Sequence, residues 1–399
     1  MAIAPLSDVR ILDLTSCVAG PWCTKLLGDY GADVIKVERP GTGDESRGHG
    51  PYRGGAPDRE ASALFLAHNT SKRSITLDIA TPTGRQIALR LAATCDAVVL
   101  DQSPSRIASL RLTPGDWHAA NPRLAITSVT AFGLSGPYAE WTSNNLIAYA
   151  AGGQHYLTGD PDREPLQNGG YQADHQAGTW AFGATLCAIK DARRSGRGQV
   201  VEVAAQEVMA SILELYLPDY AYRKSDALTT RRGNVASAAV GIYPAADGHI
   251  GIHAMPKNWP QLIDAMDAQW MDEDERFADS RARLRNDDDL SAQLYLWTTS
   301  VTKHEAYERA GRSRAPISPV NNMADLLGSP HLRARGFFHD VDHPHAGALQ
   351  YAGPPSRMAA SPPELRAAPT LGQHNAEVYG DLLGLAATDI ARLSASGVI

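Results

Sequence analysis

The chain has 399 residues, of which 43% are hydrophobic, and this is enough for two domains that each bury a core. Its formal net charge of −7 gives no overall attraction to nucleic acid or to an anionic membrane, and no apolar run approaches the roughly 20 residues of a membrane-spanning helix. The four cysteines, Cys17, Cys23, Cys95 and Cys187, lack C-x-x-C spacing, and the N-terminus lacks a signal-peptide core. We therefore expect a cytoplasmic protein with no nucleic-acid and no membrane partner.

The first part of the chain alternates predicted strands and helices, as parallel α/β sheets do. Helices are predicted at Trp22–Tyr30 and Thr83–Ala93, and strands at Val9–Leu14, Asp33–Glu38, Ser74–Ile79, Ala97–Asp101 and Leu124–Val129. We expect a large, doubly wound, Rossmann-like parallel sheet. The first turn, TSCVAGP, contains one glycine and so lacks the G-x-G-x-x-G fingerprint, and NAD is not an expected ligand.

The most informative stretch runs from Asn168 to Gln199. After a glycine pair it reads as a long helix that is apolar on most sides, with cations near its carboxyl end and Gly196 as its stop. Asp174 lies at the start of this helix. Its position allows an N-cap role or the role of a nucleophilic carboxylate, which is ionised at neutral pH from a reference pKa of about 3.9. Spacing does not decide between the two.

The second part of the chain predicts a smaller α+β domain. After a strand at Val200–Val203 we expect a long helix over Ala205–Tyr222, a basic connector, a strand pair joined at Asp247-Gly248, and amphipathic helices near Trp259–Asp267 and Leu290–Val301. The predicted division is 1–225 for the large domain, 226–328 for the small domain and 329–399 for a proline-rich closing segment.

Three histidines of the closing segment, His339, His343 and His345, form the only metal-like cluster in the sequence. Pro344 and the absence of i, i+4 spacing favour a polar surface loop instead, so no metal is expected.

The run from Gly170 through AD-x-x-AG to RRSGRGQVVEV resembles the central signature of the family III CoA-transferases. This CaiB/BaiF group includes formyl-CoA transferase, carnitine CoA-transferase and alpha-methylacyl-CoA racemase. The segments VAGP, ITLDI, FGLSGPY, DEDERF and APTLGQHN also match, together with Arg283 and Arg232-Gly233-Asn234, so the resemblance spans nearly the whole chain. It implies an acyl-CoA and a free carboxylic acid as substrates. It also implies an interlocked homodimer, in which the closing segment crosses back to the large domain.

Asp174 falls on the catalytic aspartate of that family. The resemblance implies that its carboxylate attacks the donor thioester, and that the reaction passes through a mixed anhydride and an aspartyl-CoA thioester. Backbone N–H groups near Val18 or Gly170 are candidates for holding the oxyanion. The glycine-rich lid of the formyl-CoA branch is absent, and VASAAVGI (Val235–Ile242) stands in its place, which favours a different acceptor acid.

The resemblance also assigns CoA-binding positions. Val18 and Ala19 fall beside the thiol end of CoA, Arg39 at a phosphate, and Leu77 and Ile79 beside the adenine, although a strand core would also contain these last two residues. The chain departs from the family where Ala80 replaces a usual cation and where Asp101 and Gln102 replace Asn and Phe. Arg106 and Arg111 are close enough in sequence to supply the phosphate contacts instead.

His49, Leu64 and Asn144 align with the acceptor pocket of the family, although the glycine neighbours of His49 also suit an exposed loop. Asn144 and Asn145 stand where the racemase branch has a His-Asp pair, and an amide has no titration near neutral pH with which to move a proton. The sequence therefore favours a CoA-transferase over an acyl-CoA racemase or isomerase. A third alternative is an acyl-CoA binding protein that has lost turnover.

Overall fold

The structure, a computed structural model, describes residues 4–159, 162–224 and 239–399. These residues divide into two compact units. The first contains residues 4–159, 164–224 and 336–399, and the second contains residues 162–163 and 239–335. Residues 225–238 lie outside the described residues, and they include most of the predicted basic connector, with Arg232-Gly233-Asn234, and the first half of VASAAVGI.

The first unit is built on a six-stranded sheet. Its strands are β1 (Arg10–Leu14), β2 (Asp33–Glu38), β3 (Lys72–Thr76), β4 (Ala97–Leu100), β5 (Ala125–Thr130) and β6 (Val200–Ala204). All pairs are parallel, in the order β3-β2-β1-β4-β5-β6, which confirms the predicted parallel sheet. The strand order reverses between β1 and β4, and the carboxyl ends of the strands open a crevice at such a point.

One strand is displaced from its prediction. β3 starts at Lys72 and ends at Thr76, whereas the sequence predicted Ser74–Ile79. The strand ends early because the chain turns away from β2 after Leu77. The N–H of Leu77 still donates to the Glu38 carbonyl. The next N–H, that of Asp78, donates to the Val398 carbonyl instead, so pairing with β2 ends there.

The described helices of this part of the chain pack on both faces of the sheet. They are α1 (Ala19–Asp29), α2 (Ala63–His68), α3 (Pro82–Ala92), α4 (Pro104–Leu110), α5 (Pro114–Ala120), α6 (Asn145–Ala151), α7 (Gln172–Ser195), α8 (Ala205–Ser211) and α9 (Tyr216–Arg223). One core cluster joins α3 and α5 to the sheet through Leu91 and Trp117. The other joins α1 and α7 to it through Leu27, Ala177 and Ala181. Since both faces are covered, β4 (AVVL) is wholly apolar, whereas β3 (KRSIT) carries polar residues that are mostly buried.

Helices α3, α4 and α5 share a sequence signal for their starts. Each begins with proline directly after a Ser or Thr whose hydroxyl accepts a backbone N–H, at Thr81, Ser103 and Thr113. Proline suits the first helical position because the N–H it lacks would have no partner there.

The prediction of one long helix over Ala205–Tyr222 is wrong, because two helices occupy this stretch. α8 ends at Ser211 and α9 begins at Tyr216. Glu214 between them has a left-handed φ of 52°, and Pro218 has no N–H with which to continue a helical ladder from that residue.

The closing part of the chain returns to the first unit and covers the edge strand β3. The N–H of Ser74 donates to His374 Nδ1 at 3.1 Å, and that of Thr76 donates to Asn375 Oδ1 at 2.9 Å. These two side chains therefore satisfy edge groups that a further strand would otherwise pair with. The described remainder of this part comprises β10 (Phe338–His343), β11 (Gly347–Ala352), a π-helix (Ala376–Leu382) and a last helix (Ala387–Ala395).

The prediction that the three histidines lie in a surface loop is wrong. His339 and His343 lie in β10 of an antiparallel hairpin, and His343 is 1% exposed. Its Nδ1 accepts the N–H groups of His345 and Ala346. Across the described ranges, no group of three or more His, Cys, Asp or Glu side chains is arranged to hold a metal ion. No described helix is long and apolar enough to span a membrane.

The second unit contains a small antiparallel sheet in the order β7-β8-β9, whose strands are β7 (Ala239–Ala245), β8 (Gly248–Ala254) and β9 (Ile317–Pro319). Its helices are α10 (Trp259–Met266), α11 (Ser280–Arg285), α12 (Asp287–Ser300), α13 (Lys303–Ser313), α14 (Met323–Gly328) and α15 (Pro330–Ala334). Its core includes Leu262, Met271 and Phe277, all fully buried. Arg283 stacks on Trp259 and donates to the Phe277 carbonyl, which gives this family-matching arginine a packing role.

Candidate active site

A cavity of about 560 Å³ opens at the carboxyl ends of β1 and β2, within the size range of small-molecule sites. Five predicted CoA-binding residues line it: Arg39, Leu77, Ile79, Gln102 and Arg106. Arg59, which the sequence analysis did not select, also lines it and donates to the Gly41 carbonyl at 2.7 Å. The cavity thus combines an apolar wall at Leu77 and Ile79 with three guanidinium groups, which suits a ligand with an apolar ring and phosphates.

The other predicted CoA-binding residues, Val18, Ala19, Asp101 and Arg111, are not among those lining the cavity. Both candidate substitute arginines are exposed, but only Arg106 lines the cavity, and Arg111 ends α4 in a left-handed conformation. Asp101 accepts hydrogen bonds from the N–H of Ser16 at 2.6 Å and from Gln102 Nε2 at 2.6 Å. Its carboxylate is therefore used to hold the first turn.

Three successive N–H groups of that turn, those of residues 15–17, each donate to a different carboxylate. The acceptors are Asp13 at 3.0 Å, Asp101 at 2.6 Å and Asp44 at 3.1 Å. In dinucleotide-binding sheets the corresponding turn and helix start bind a pyrophosphate. Here the protein's own carboxylates use these N–H groups, which is a structural reason, beside the missing glycines, why the turn does not suit a dinucleotide.

The floor below the cavity is a network of buried charges. Asp13, Asp44 and Glu38 are paired with Lys36, Lys72 and Arg47 over distances of 2.7–4.0 Å. Three acids thus face three cations, as buried ion pairs require. Asp101 forms no ion pair with any residue in the described ranges, and burial raises the pKa of its carboxyl to about 7.

Asp174 is the third residue of α7. The N-cap interpretation is wrong, because Tyr171 is the N-cap and Asp174 has helical geometry inside the first turn. Its carboxylate is partly buried and accepts no hydrogen bond from the part of the chain that the structure describes. Burial raises the pKa of Asp174 to about 6. Among the described residues this carboxylate neither caps its helix nor pairs with a cation, and a carboxylate in that state is available to react.

Asn145, from the start of α6, supplies the cap that α7 lacks. Its Oδ1 accepts the N–H of Ala173 at 2.8 Å and that of Asp174 at 3.4 Å, and its Nδ2 donates to the Gly170 carbonyl at 3.2 Å. Asn144 caps α6 itself, by accepting the N–H of Ile147, and is exposed. The two neighbouring amides therefore have different structural roles.

The remaining predicted acceptor-pocket residues lie near the site without lining the cavity. His49 is exposed and follows Gly48, which does line the cavity, while Leu64 is partly buried in α2. A Cβ atom at Gly178 would overlap the Ala19 carbonyl oxygen, so α1 packs closely on α7 one turn beyond Asp174. The segment 14–19 thus connects the cavity, which its first half lines, to the helix of Asp174.

Two histidines that the sequence analysis did not select lie in this region. His175 directly follows Asp174, and its ring is hydrogen-bonded to that of His68 at the end of α2. The motif ADHQAG contains His175, but its partner is 107 positions away, and no local pattern indicates that pairing.

Comparison with known proteins is consistent with this geometry. The succinyl-CoA–D-citramalate CoA-transferase of Chloroflexus aurantiacus is 35% identical over 99% of this chain and 98% of its own length. The succinate–glutarate CoA-transferase of Agrobacterium fabrum is 30% identical over 95% of this chain and 96% of its own. The crystal structure of a CAIB/BAIF family protein from Brucella suis superposes with a TM-score of 0.85, at 30% identity, over 95% of this chain and 99% of that one. A sequence model of CoA-transferase family III matches residues 6–375, and the chain belongs to that family.

Proposed function

We propose that the protein moves CoA from an acyl-CoA donor to a free carboxylic acid, and that Asp174 carries the acyl and CoA intermediates. The observation behind the proposal is the Asp174 carboxylate, which is partly buried at the start of α7 and has no hydrogen-bond partner among the described residues. The family and the named relatives, which are CoA-transferases, support the reaction class.

In the proposed mechanism the Asp174 carboxylate attacks the donor thioester carbonyl, forming a mixed anhydride and releasing CoA thiolate. The thiolate attacks the aspartyl carbonyl, giving an aspartyl-CoA thioester and the free donor acid. The acceptor carboxylate then attacks this thioester, which forms a second anhydride and again frees the thiolate. The thiolate then attacks the carbonyl of the acceptor acid, which yields the new acyl-CoA and frees the Asp174 carboxylate. One oxygen atom of this carboxylate now comes from the acceptor acid.

CoA would occupy the cavity at the ends of β1 and β2. Leu77 and Ile79 would contact the adenine, and Arg39, Arg59 and Arg106 its phosphates, since guanidinium groups bind phosphate well. The thiol end would run along the segment 14–19 toward α7. The N–H groups of Val18 and Ala19 start α1 and donate to no group within the described ranges, so they are suitable donors for an oxyanion. Gly170 is the alternative donor.

Succinyl-CoA is the donor that we propose, with a dicarboxylic acid as acceptor. The names of the two relatives include succinyl-CoA or succinate, and D-citramalate and glutarate are both dicarboxylic acids. His49, Leu64 and Asn144 would contact the acceptor, with the imidazole and the amide as hydrogen-bonding groups. Under this proposal His49→Ala changes the ranking of acceptor acids in kcat/KM while the affinity for CoA stays within about twofold, roughly 0.4 kcal/mol.

The family resemblance also supports an interlocked homodimer as the working form, and the scattered cysteines, all free in the structure, support a reducing cytoplasm. The domain division at 225 and 328 stays part of this proposal. Mass photometry of the purified protein would test the dimer, which requires a particle of twice 42.7 kDa.

The second candidate function is an acyl-CoA racemase of the same family. Asn144 and Asn145 speak against it, because neither amide can take up the α-proton, and Asn145 is already engaged by α7. Uptake of deuterium at the α-carbon of a 2-methylacyl-CoA in heavy water would favour this alternative. A silent acyl-CoA binding protein would show neither deuterium uptake nor exchange.

The test of the proposed mechanism uses a dicarboxylic acceptor labelled with ¹⁸O in both carboxylates. After a single turnover with succinyl-CoA, the peptide covering residues 164–190 should gain one ¹⁸O, at Asp174. Asp174→Ala should leave the peptide unlabelled and should abolish exchange. Exchange that proceeds in the wild type without label in this peptide would exclude the covalent aspartyl route.

A further inference from the structure

An imidazole pair lies beside Asp174 and joins two helices of the candidate active site. The Nε2 atoms of His68, at the end of α2, and of His175, the fourth residue of α7, are 2.9 Å apart. The rings are stacked at an interplanar angle of 16°. His68 is 5% exposed and His175 is partly buried, so water does not freely replace this contact.

The positions of the hydrogens follow from the partners of the rings. His68 Nδ1 lies 2.8 Å from the Leu64 carbonyl oxygen, which can only accept, so Nδ1 carries the hydrogen. In the neutral ring Nε2 is then an acceptor, so the 2.9 Å contact is a hydrogen bond when His175 carries its hydrogen on Nε2. Burial lowers the pKa of His68 to about 4 and also lowers the pKa of His175, so that both rings are neutral near pH 7.

Trp22 of α1 holds the two rings in position. Its indole meets His175 and His68 edge-on, with centroid distances of 4.8 and 5.9 Å. The indole Nε1 donates to Thr179 Oγ1 on α7 at 3.1 Å, which fixes the indole relative to that helix. Three helices that carry candidate site residues, α1, α2 and α7, therefore meet at one hydrogen bond between two imidazoles.

We propose that His175 is a positioning residue, whose hydrogen bond to His68 fixes the first turn of α7 and hence the direction of the Asp174 carboxylate. This inference rests on the proposed role of Asp174. Since that carboxylate has no hydrogen-bond partner among the described residues, the backbone of its turn, which fixes the Cα–Cβ bond, sets the positions that the carboxylate can reach. Asn145 holds this turn on one side and His175 holds it next to Asp174 on the other. A displacement of about 1 Å at a reacting group can reduce a rate by about 100-fold.

The experiment compares His175→Gln with His175→Asn in the exchange of CoA between succinyl-CoA and a dicarboxylic acid. A glutamine amide can place an N–H near the position of Nε2, whereas an asparagine amide reaches only the position of Nδ1. We expect His175→Asn to lower kcat at least tenfold, about 1.4 kcal/mol in activation free energy, with KM for succinyl-CoA within twofold. His175→Gln should recover kcat to within about threefold of the wild type.

The same contact can be removed from its other side. His68→Leu lacks the acceptor, and we expect it to lower kcat as much as His175→Asn does. The double variant should lose no more than either single variant, because both substitutions remove the same bond. If the thermal melt shows that His175→Asn does not fold, His68→Gln is compared with His68→Leu instead. The glutamine keeps an acceptor and the leucine lacks one.

Three outcomes would each overturn the positioning role. They are equal kcat values for His175→Gln and His175→Asn, kcat losses that multiply in the double variant, and a loss confined to KM. Asp174→Ala, measured in the same assay, separates this outcome from failure of the proposed function. Exchange by Asp174→Ala would refute the nucleophile. An inactive Asp174→Ala together with indistinguishable His175 variants would refute the positioning role alone.

Discussion

The side-chain oxygen of Asn145 lies 2.8 Å from the backbone nitrogen of Ala173, the residue before Asp174. This contact crosses from α6 to α7 and satisfies an N–H of a helix start that has no side-chain cap of its own. It also leaves the Asp174 carboxylate free of the capping role that its position in the sequence suggested. The cap and the candidate nucleophile are thus two different residues.

Loss of the Asn145 cap should affect both stability and exchange. We expect Asn145→Ala to lower the free energy of unfolding by about 1 kcal/mol, the usual cost of a lost cap, and to lower kcat by about tenfold. Thr113→Ala is the matched control, since it removes the cap of α5, which carries no candidate site residue, and should leave kcat within about threefold. Urea unfolding and exchange kinetics would measure both effects. Equal kcat losses for the two variants would contradict the assignment.

Exchange should require an ionised Asp174 and should therefore fall as the pH decreases through about 6, because burial raises the pKa of this carboxyl to about 6. The pH profile of kcat/KM measures this limb. If the midpoint of the acidic limb lies near pH 4 instead, the Asp174 carboxyl is not desolvated in solution.

The same pKa shift predicts a stability effect of opposite sign. The folded protein holds a proton on Asp174 more tightly than the unfolded chain, so stability decreases as the pH rises from about 4 to about 6. At pH 8, Asp174→Asn should therefore be more stable than the wild type, on the order of 1–2 kcal/mol, while it lacks exchange activity. Chemical unfolding of both proteins at pH 5 and pH 8 would show whether the difference grows with pH.

Local patterns in the sequence predicted much of the fold. Apolar strand runs identified the parallel sheet, and the position of Gly196 as a helix stop is confirmed by its left-handed φ of 75° at the end of α7. The contacts that shape the candidate site were not predictable in this way. Asn145 and Ala173, or His68 and His175, are far apart in sequence, and each side chain alone is compatible with many partners. The break between α8 and α9 had a local signal, Pro218, that the helical periodicity obscured.

Arg106 and Arg111 provide a matched pair for the CoA cavity. Arg106 lines it, whereas Arg111 ends α4 with an exposed side chain and does not. We expect Arg106→Ala to weaken CoA binding about tenfold or more, and Arg111→Ala to change it less than twofold. Isothermal titration with CoA at low and high salt measures both. Loss of affinity in Arg111→Ala alone would mean that the phosphates lie elsewhere.

The carboxyl of Asp101 should make CoA binding sensitive to pH. It lies below the cavity without an ion-pair partner in the described ranges, and burial raises its pKa to about 7. As the pH rises through about 7, Asp101 ionises and places a negative charge beneath an anionic ligand, so CoA affinity should decrease. Asp101→Asn keeps an acceptor for the Ser16 N–H but does not titrate.

The comparison that tests this is the ratio of CoA dissociation constants for wild type and Asp101→Asn between pH 6 and pH 8.5. The titration of CoA itself is common to both proteins and cancels in the ratio. The variant must reorganise one contact with Gln102, which costs about 1 kcal/mol at every pH and does not affect the slope. We expect the wild-type dissociation constant, divided by that of the variant, to rise several-fold as the pH increases through 7. A ratio that does not change with pH would show that Asp101 keeps one charge state throughout.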